Sequence, residues 1–203
     1  PAVQDEPGVL KEKLLQGLDF LLDEMRKRDM TAILVLNNSW PWSGGMAQYV
    51  KWNGADSIPY PPPHPNGTWD GYQKFTAGFY ASAKSVEQNN AAIKKIVERK
   101  NSISQVNYKK DPTIMAWELC NEPRGIDKVE IFNEWIDNTA GFIKSLDSKH
   151  LVTTGAEGYT PSPETAGTDF IKMHDGKNID YTTAHIWIQN WGWYDPQRHD
   201  STY

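Results

Sequence analysis

Residues 111–124 read Asp111-Pro112-Thr113-Ile114-Met115-Ala116-Trp117-Glu118-Leu119-Cys120-Asn121-Glu122-Pro123-Arg124. The Asp-Pro pair is a turn and strand-start signal, because proline cannot donate to a ladder and is tolerated at a strand's first residue. The apolar run 113–119 predicts a buried strand, and it delivers Asn-Glu-Pro at its end. The same arrangement recurs on both sides. Residues 31–36 form a second apolar run that ends in Asn37-Asn38. Residues 151–154 form a third, stopped by Gly155 and followed by Glu157, and residues 181–187 form a fourth that carries His185.

Between these runs the apolar residues fall at helical spacing. Leu14, Leu18, Leu21, Leu22 and Met25 predict a helix over about residues 9–28. Val86, Ile93, Ile96 and Val97 predict another over 83–100, and Ile131, Trp135, Ile136, Phe142, Ile143 and Leu146 a third. A short helix is expected over 165–173. The stretch after Asn38 reads as a long loop, punctuated by Gly44-Gly45 and Pro61-Pro62-Pro63. Alternating helices and strands imply parallel strands with right-handed crossovers. A doubly wound sheet and a (β/α)₈ TIM barrel both fit. No glycine-rich phosphate loop follows a strand, which removes the main Rossmann signal. Polar groups instead stand at the C-terminal end of every predicted strand. In a barrel these ends surround one mouth, where barrel active sites form, so the barrel is favoured.

The 203 residues carry a formal charge of -5 and a pI near 5.5, which gives no basic footprint for nucleic acid. No apolar run reaches the length of a membrane span. Cys120 is the one cysteine, which excludes an intrachain disulfide and a cysteine-based zinc site. The five histidines (His64, His150, His174, His185, His199) lack ligand spacing, so neither a catalytic metal nor another cofactor is expected. The start, Pro1 to Gly8, has no basic n-region or apolar h-region and does not read as a signal peptide. It lacks methionine, and neither end reads as a natural domain border.

The run 111–124 resembles glycoside hydrolase family 5, within the clan of barrel glycosidases whose acid/base lies in an Asn-Glu-Pro turn. The fuller match is to the β-mannanase/β-mannosidase branch. Leu34-Val35-Leu36-Asn37-Asn38 with Gly44-Gly45, Gln48-Tyr49 and Trp52 resembles that branch's third strand and loop, and Val106-Asn107-Tyr108 also fits. The resemblance implies a (β/α)₈ barrel of which this chain supplies about the middle half, strands three to six. A whole barrel typically needs about 250 residues. Residues 1–203 are then expected to be one partial catalytic domain, with the outer strands missing at both ends.

The resemblance implies that Glu122 is the acid/base, and that Asn121 hydrogen-bonds the sugar's 2-hydroxyl. A retaining glycosidase needs a second carboxyl about 5–5.5 Å away. The family places this nucleophile at the seventh strand, outside this chain. Its approach, with partial burial, is expected to raise the Glu122 pKa. The implied activity is cleavage of β-1,4-mannosidic bonds by double displacement, with β-mannan or manno-oligosaccharide as substrate and neither nucleic acid nor membrane as partner. The alternatives are an exo-β-mannosidase or cellulase on the same scaffold, or a noncatalytic carbohydrate-binding protein. Mannan lies outside cells, so a secreted or periplasmic location is expected.

His185 resembles the histidine that lines the family's catalytic subsite. Trp187 departs from the usual His-x-Tyr, and an indole N–H can donate but cannot accept or ionise. Glu157 is expected to hydrogen-bond sugar or a neighbouring site residue, and Asn38 to contact substrate. Of nine tryptophans, seven fall on loops or strand ends. Trp40, Trp187 and Trp191 are the foremost candidates to stack on sugar, while Trp117 and Trp135 read as core. A blander reading remains for Asn121-Glu122-Pro123, since Asn caps helices and Pro suits a first turn. Glu118, inside its strand, reads as structural and must be paired or hydrogen-bonded.

Overall fold

The computed structural model describes residues 2–189 and 192–197. Strands β1 (Gln4–Glu6) and β2 (Val9–Leu10) pair antiparallel across Pro7-Gly8. Gly8 holds φ 76° there, and its N–H donates to Gln4 Oε1 at 2.9 Å. This hairpin takes Val9 out of the expected first helix. Helix α1 runs over Glu12–Arg26, shorter than expected at both ends, with Leu15, Asp19 and Leu22 buried.

The frame is a parallel sheet of β3 (Ala32–Val35), β4 (Ile114–Glu118) and β5 (Leu151–Thr153), in the order β3-β4-β5. Leu34, Trp117 and Val152 stand in register, as do Val35, Glu118 and Thr153. The stretch expected to be a long loop contains two helices, α2 (Gly45–Trp52) and α3 (Trp69–Ala77), after a 3₁₀ turn at Pro41–Ser43. Glycines and caps hid them from a periodicity reading. Gly45 has φ 57°, and a Cβ there would lie 2.1 Å from the Asn38 carbonyl oxygen, so the chain can turn into α2 only through glycine. Thr68 caps α3 by accepting the Gly71 N–H at 3.0 Å.

Helices α4 (Ala83–Val97) and α5 (Val129–Leu146) form where expected and connect successive strands. The short helix expected over 165–173 is displaced. Helix α6 occupies Pro161–Thr165, opened by Pro161 in its first turn, and a 3₁₀ turn follows at Lys172–His174. Gly167, at φ 72°, bars continuation between them.

The fourth expected strand, residues 181–187, is not a strand. It lies along the end of β5 through separate bonds. The Asp180 N–H donates to the Val152 carbonyl (2.9 Å) and the His185 N–H to that of Glu157 (3.1 Å). The hydroxyls of Thr153 and Thr183 donate to the carbonyls of Tyr181 (2.9 Å) and Ala156 (2.8 Å). Side chains thus make bonds that ladder N–H groups would make in a regular pair, and the ladder is interrupted.

Trp117 and Trp135 are buried in one core with Phe79, Tyr80, Phe132 and Ile136. The Trp117 indole N–H donates to Asp147 Oδ2 at 2.8 Å, which satisfies its polar end. A second buried junction lies between α1 and the segment after α4. Asp19 is fully buried, and it accepts from Arg99 Nε and Nη2 (2.9 and 2.6 Å), Tyr108 Oη (2.6 Å) and Ser102 N and Oγ (3.0 and 2.8 Å). No helical periodicity signals that network.

Candidate active site

The C-terminal ends of the three strands are laced together. The Asn121 N–H donates to the Asn37 carbonyl at 3.0 Å, and the Glu122 N–H donates to that of Gly155 at 2.9 Å. Asn38 and Asn121 form a parallel bridge, and Asn121 Nδ2 donates to Asn38 Oδ1 at 3.2 Å. Polar groups that the sequence placed at separate strand ends, Asn37-Asn38, Asn121-Glu122, Glu157 and His185, therefore converge.

Glu122 stands at their centre. Its backbone is left-handed, with φ 51°, a conformation uncommon outside glycine and one that clusters at functional sites. Both carboxyl oxygens are engaged. His185 Nδ1 lies 2.6 Å from Oε1, and the Trp40 indole N–H donates to Oε2 at 2.6 Å. Burial pushes the Glu122 pKa up, but the hydrogen bonds from His185 and Trp40 outweigh it, so the net shift is downward. Burial thus acts in the expected direction, and the two donors reverse its effect among the groups present here. In return, the bond to Glu122 raises His185 against the opposing effect of burial. Burial raises Glu118, with the His185 charge opposing and the Glu122 charge reinforcing the shift.

Glu157 does not project free into the cleft. Its two oxygens accept a fork from Arg124 Nε and Nη2, both at 2.7 Å, and both side chains are nearly buried. Arg124 also donates to Gln73 Oε1 (3.0 Å) and Ser162 Oγ (3.1 Å). Its guanidinium stacks 5.2 Å from the Trp40 ring centroid. Of the two roles the sequence left open for Glu157, the geometry favours holding a neighbouring site residue. Neither this fork nor the Trp40–Glu122 bond was legible in the sequence. That Arg124 stands two positions after Glu122 in the chain was the only available signal.

Trp40, Trp42 and Trp69 form an aromatic cluster with ring centroids 5.8–6.1 Å apart. Trp40, Trp42, Asn121, Glu122, His185, Ile186 and Trp187 line a cleft of about 510 Å³. Trp187 is 55% exposed on its rim and Trp42 is 63% exposed. Asn38, expected to contact substrate, does not line this cleft but a neighbouring cavity that shares Asn121, and its Oδ1 accepts the Trp40 backbone N–H at 2.9 Å. Trp52 closes α2 and packs edge-on against Tyr49 instead of joining the cluster. Trp191 and His199 lie outside the described residues. Among the described residues, no three His, Cys, Asp or Glu side chains gather as a metal set.

This chemistry is one carboxyl with two fixed donors, set in an open cleft with flat aromatic walls. The profile described as GH family 5 beta-mannosidase-like matches residues 1–203. The chain belongs to that family. It is 35% identical over 205 residues to mannan endo-1,4-beta-mannosidase 5 of Arabidopsis thaliana, covering 94% of this chain and 45% of that protein. It is 39% identical over 204 residues to mannan endo-1,4-beta-mannosidase 5 of Solanum lycopersicum, covering 94% and 46%. The chain thus spans about half the length of the curated relatives it matches.

Among solved structures, the glycoside hydrolase family 5 mannosidase from Rhizomucor miehei is 38% identical with a TM-score of 0.84, covering 98% of this chain and 46% of that one. The endo-beta-1,4-mannanase from Thermotoga petrophila is 28% identical with a TM-score of 0.75, covering 92% and 42%. These relatives are (β/α)₈ barrels. The sheet β3-β4-β5 with its helices is accordingly an arc of such a barrel, and the laced strand ends lie at its C-terminal face.

Proposed function

We propose that this family 5 chain carries the acid/base half of a retaining glycoside hydrolase that cleaves β-1,4-mannosidic bonds in mannan-type polysaccharide. The observation that carries this reading is Glu122. It sits at the C-terminal end of a barrel strand, both oxygens held, in a cleft walled by tryptophan. Relatives named for mannan endo-1,4-β-mannosidase activity, and a Rhizomucor miehei mannosidase structure in complex with mannosyl-fructose, support the mannoside substrate.

In the first step Glu122 gives its proton to the glycosidic oxygen while a nucleophile attacks the anomeric carbon. In the second, Glu122 takes a proton from the water that releases the sugar. His185 and Trp40 stabilise the charged carboxylate that serves as base in that second step. A nearby nucleophile carboxylate would raise the pKa again for the acid step. We assign the nucleophile to the family's seventh strand, outside these residues. Glu157 is committed to Arg124, and Glu118 lies within β4 itself. Asn121 and the rim tryptophans, Trp187 foremost, bind the sugar. A mannan substrate, which lies outside cells, supports a secreted or periplasmic location.

In the full-length protein, Glu122→Gln should abolish hydrolysis of β-1,4-mannan while leaving mannan binding in affinity electrophoresis unchanged. Full turnover by that variant would sink the assignment. A second reading, exo-acting β-mannosidase, draws on the family's beta-mannosidase-like character and on the Rhizomucor miehei relative, itself a mannosidase. Release of mannose alone from manno-oligosaccharides, with no mid-chain scission of mannan, would favour it.

A further inference from the structure

Trp40 does something an exposed sugar platform does not. Its ring is half-buried, and its one polar atom is spent on Glu122 Oε2 at 2.6 Å. The neighbouring Trp42 and Trp69 meet it with tilted or edge-on rings. Arg124 lies over its ring, and the guanidinium cannot swing away, because Glu157, Gln73 and Ser162 accept its N–H groups. Its backbone is pinned through Asn38, which also holds Asn121. The indole is thus fixed from ring face, ring edge and backbone, with its N–H aimed at the carboxylate. A cation over an indole face draws electron density from the ring and strengthens that N–H as a donor.

We propose that Trp40 is a positioning residue for Glu122. Its indole N–H, seated by the Arg124–Glu157 clamp, fixes the orientation of the carboxyl group and stabilises its charged form. This rests on the reading that Glu122 is the acid/base. Geometry argues for a division of labour between the two donors. His185 can gain or lose its proton and occupies Oε1, whereas the indole N–H does not ionise and occupies Oε2 at every pH. Trp40 therefore gives a constant bias, and His185 a pH-dependent one. The other charged or titratable groups facing Glu122 are Arg124 on its own segment, Glu118 and Cys120 on β4 and its extension, and Glu157 beyond β5. Arg124 favours the carboxylate and Glu118 opposes it, while Glu157 acts on the His185 partner.

The test is the pH dependence of kcat/KM on an aryl β-mannoside with the full-length enzyme. The alkaline limb of that profile reports the acid/base in the free enzyme. Trp40→Phe keeps an aromatic ring and removes the donor, so the limb should move up by about one pH unit, the worth of one hydrogen bond to a charged group. Trp42→Phe removes an indole from the same cluster that does not bond Glu122, and its limb should stay in place. Should Trp40→Phe fold poorly, 3-benzothienylalanine at position 40 keeps the bicyclic shape with sulfur in place of N–H, and must shift the limb the same way. A loss of rate with the limb unmoved in both replacements would overturn the proposal, even where Glu122→Gln is inactive and the acid/base reading stands. Full activity in Glu122→Gln would overturn both.

Discussion

His185 Nδ1 and Glu122 Oε1 lie 2.6 Å apart, although the residues are 63 positions apart in sequence. The pair joins the end of β4 to the segment beyond β5 and depends on charge. Glu122 is lowered from 4.5 by its hydrogen bonds against burial, so its contribution to stability is present above 4.5 and is lost as pH falls through its folded value. His185 is raised from 6.5 by Glu122, so its contribution is full below 6.5 and is lost as pH rises through its folded value. Both contributions coincide between 4.5 and 6.5. In that window His185→Gln should destabilise the full-length protein by on the order of 1–3 kcal/mol. The deficit should shrink on either side. Urea unfolding across pH measures it, and a deficit that is the same at every pH would refute the charged pair.

The Arg124–Glu157 fork makes a different prediction, because it is nearly sealed from water. Removing one partner of such a pair leaves an uncompensated buried charge. Glu157→Ala should therefore cost about 3–5 kcal/mol. Replacing both residues by methionine removes both charges and fills similar volume, so much of that loss should be recovered. Thermal melts of the single and double variants decide the matter. A double variant no more stable than Glu157→Ala would show that the fork contributes shape and not charge balance.

Gly155 supports Glu122 through its backbone. Its carbonyl accepts the Glu122 N–H at 2.9 Å. It sits at φ 82°, and an added Cβ would lie 1.9 Å from the Cys120 carbonyl oxygen and 2.7 Å from Glu118 Oε1. Gly155→Ala should destabilise by at least about 1–3 kcal/mol from the left-handed backbone alone, and kcat should fall in the protein that remains folded. Gly17 is the contrast. It lies within α1 with nothing inside 4 Å of its would-be Cβ. Gly17→Ala should stabilise by about 0.5–1 kcal/mol. Equal effects in the two variants, measured by chemical denaturation, would contradict this reading of Gly155.

The sheet and the three long helices were legible because each writes its burial into a period. β4 is an unbroken apolar run closed by a polar turn, and α5 repeats its large apolar side chains at three and four residues. Helices α2 and α3 were not legible, because glycines at or near their starts and a cluster of tryptophans and tyrosines obscure the helical period. The segment 181–187 has the composition of a strand, but threonine hydroxyls take bonds that a ladder would need. The site's members could be named from strand ends, since parallel connectivity brings those ends to one face. Their hydrogen bonds could not. That Trp40 donates to Glu122, or that Glu157 answers Arg124 instead of sugar, depends on side-chain directions in loops that no period encodes.

The Asp19 junction, invisible to periodicity, carries the last prediction. Burial raises the pKa of Asp19, but bonds from Arg99, Tyr108 and Ser102 outweigh it and lower the value from 3.8 to about 2. The sign follows from linkage. A depressed carboxyl contributes stability that is present above 3.8 and is lost as pH falls through about 2. Asp19→Asn removes the charge that Arg99 and Tyr108 converge on, and should cost on the order of 2 kcal/mol near neutral pH. The gap to wild type should then narrow as the acid limit is approached, because wild-type Asp19 is itself being protonated. The alkaline limb of the hydrolysis profile should stay where it is, since Asp19 lies on α1 and does not touch Glu122. Unfolding free energies at about pH 7, 4 and 2.5 test this. A gap that stays constant down to the lowest pH would show that the Asp19 charge contributes nothing and that its hydrogen bonds work equally well in the amide.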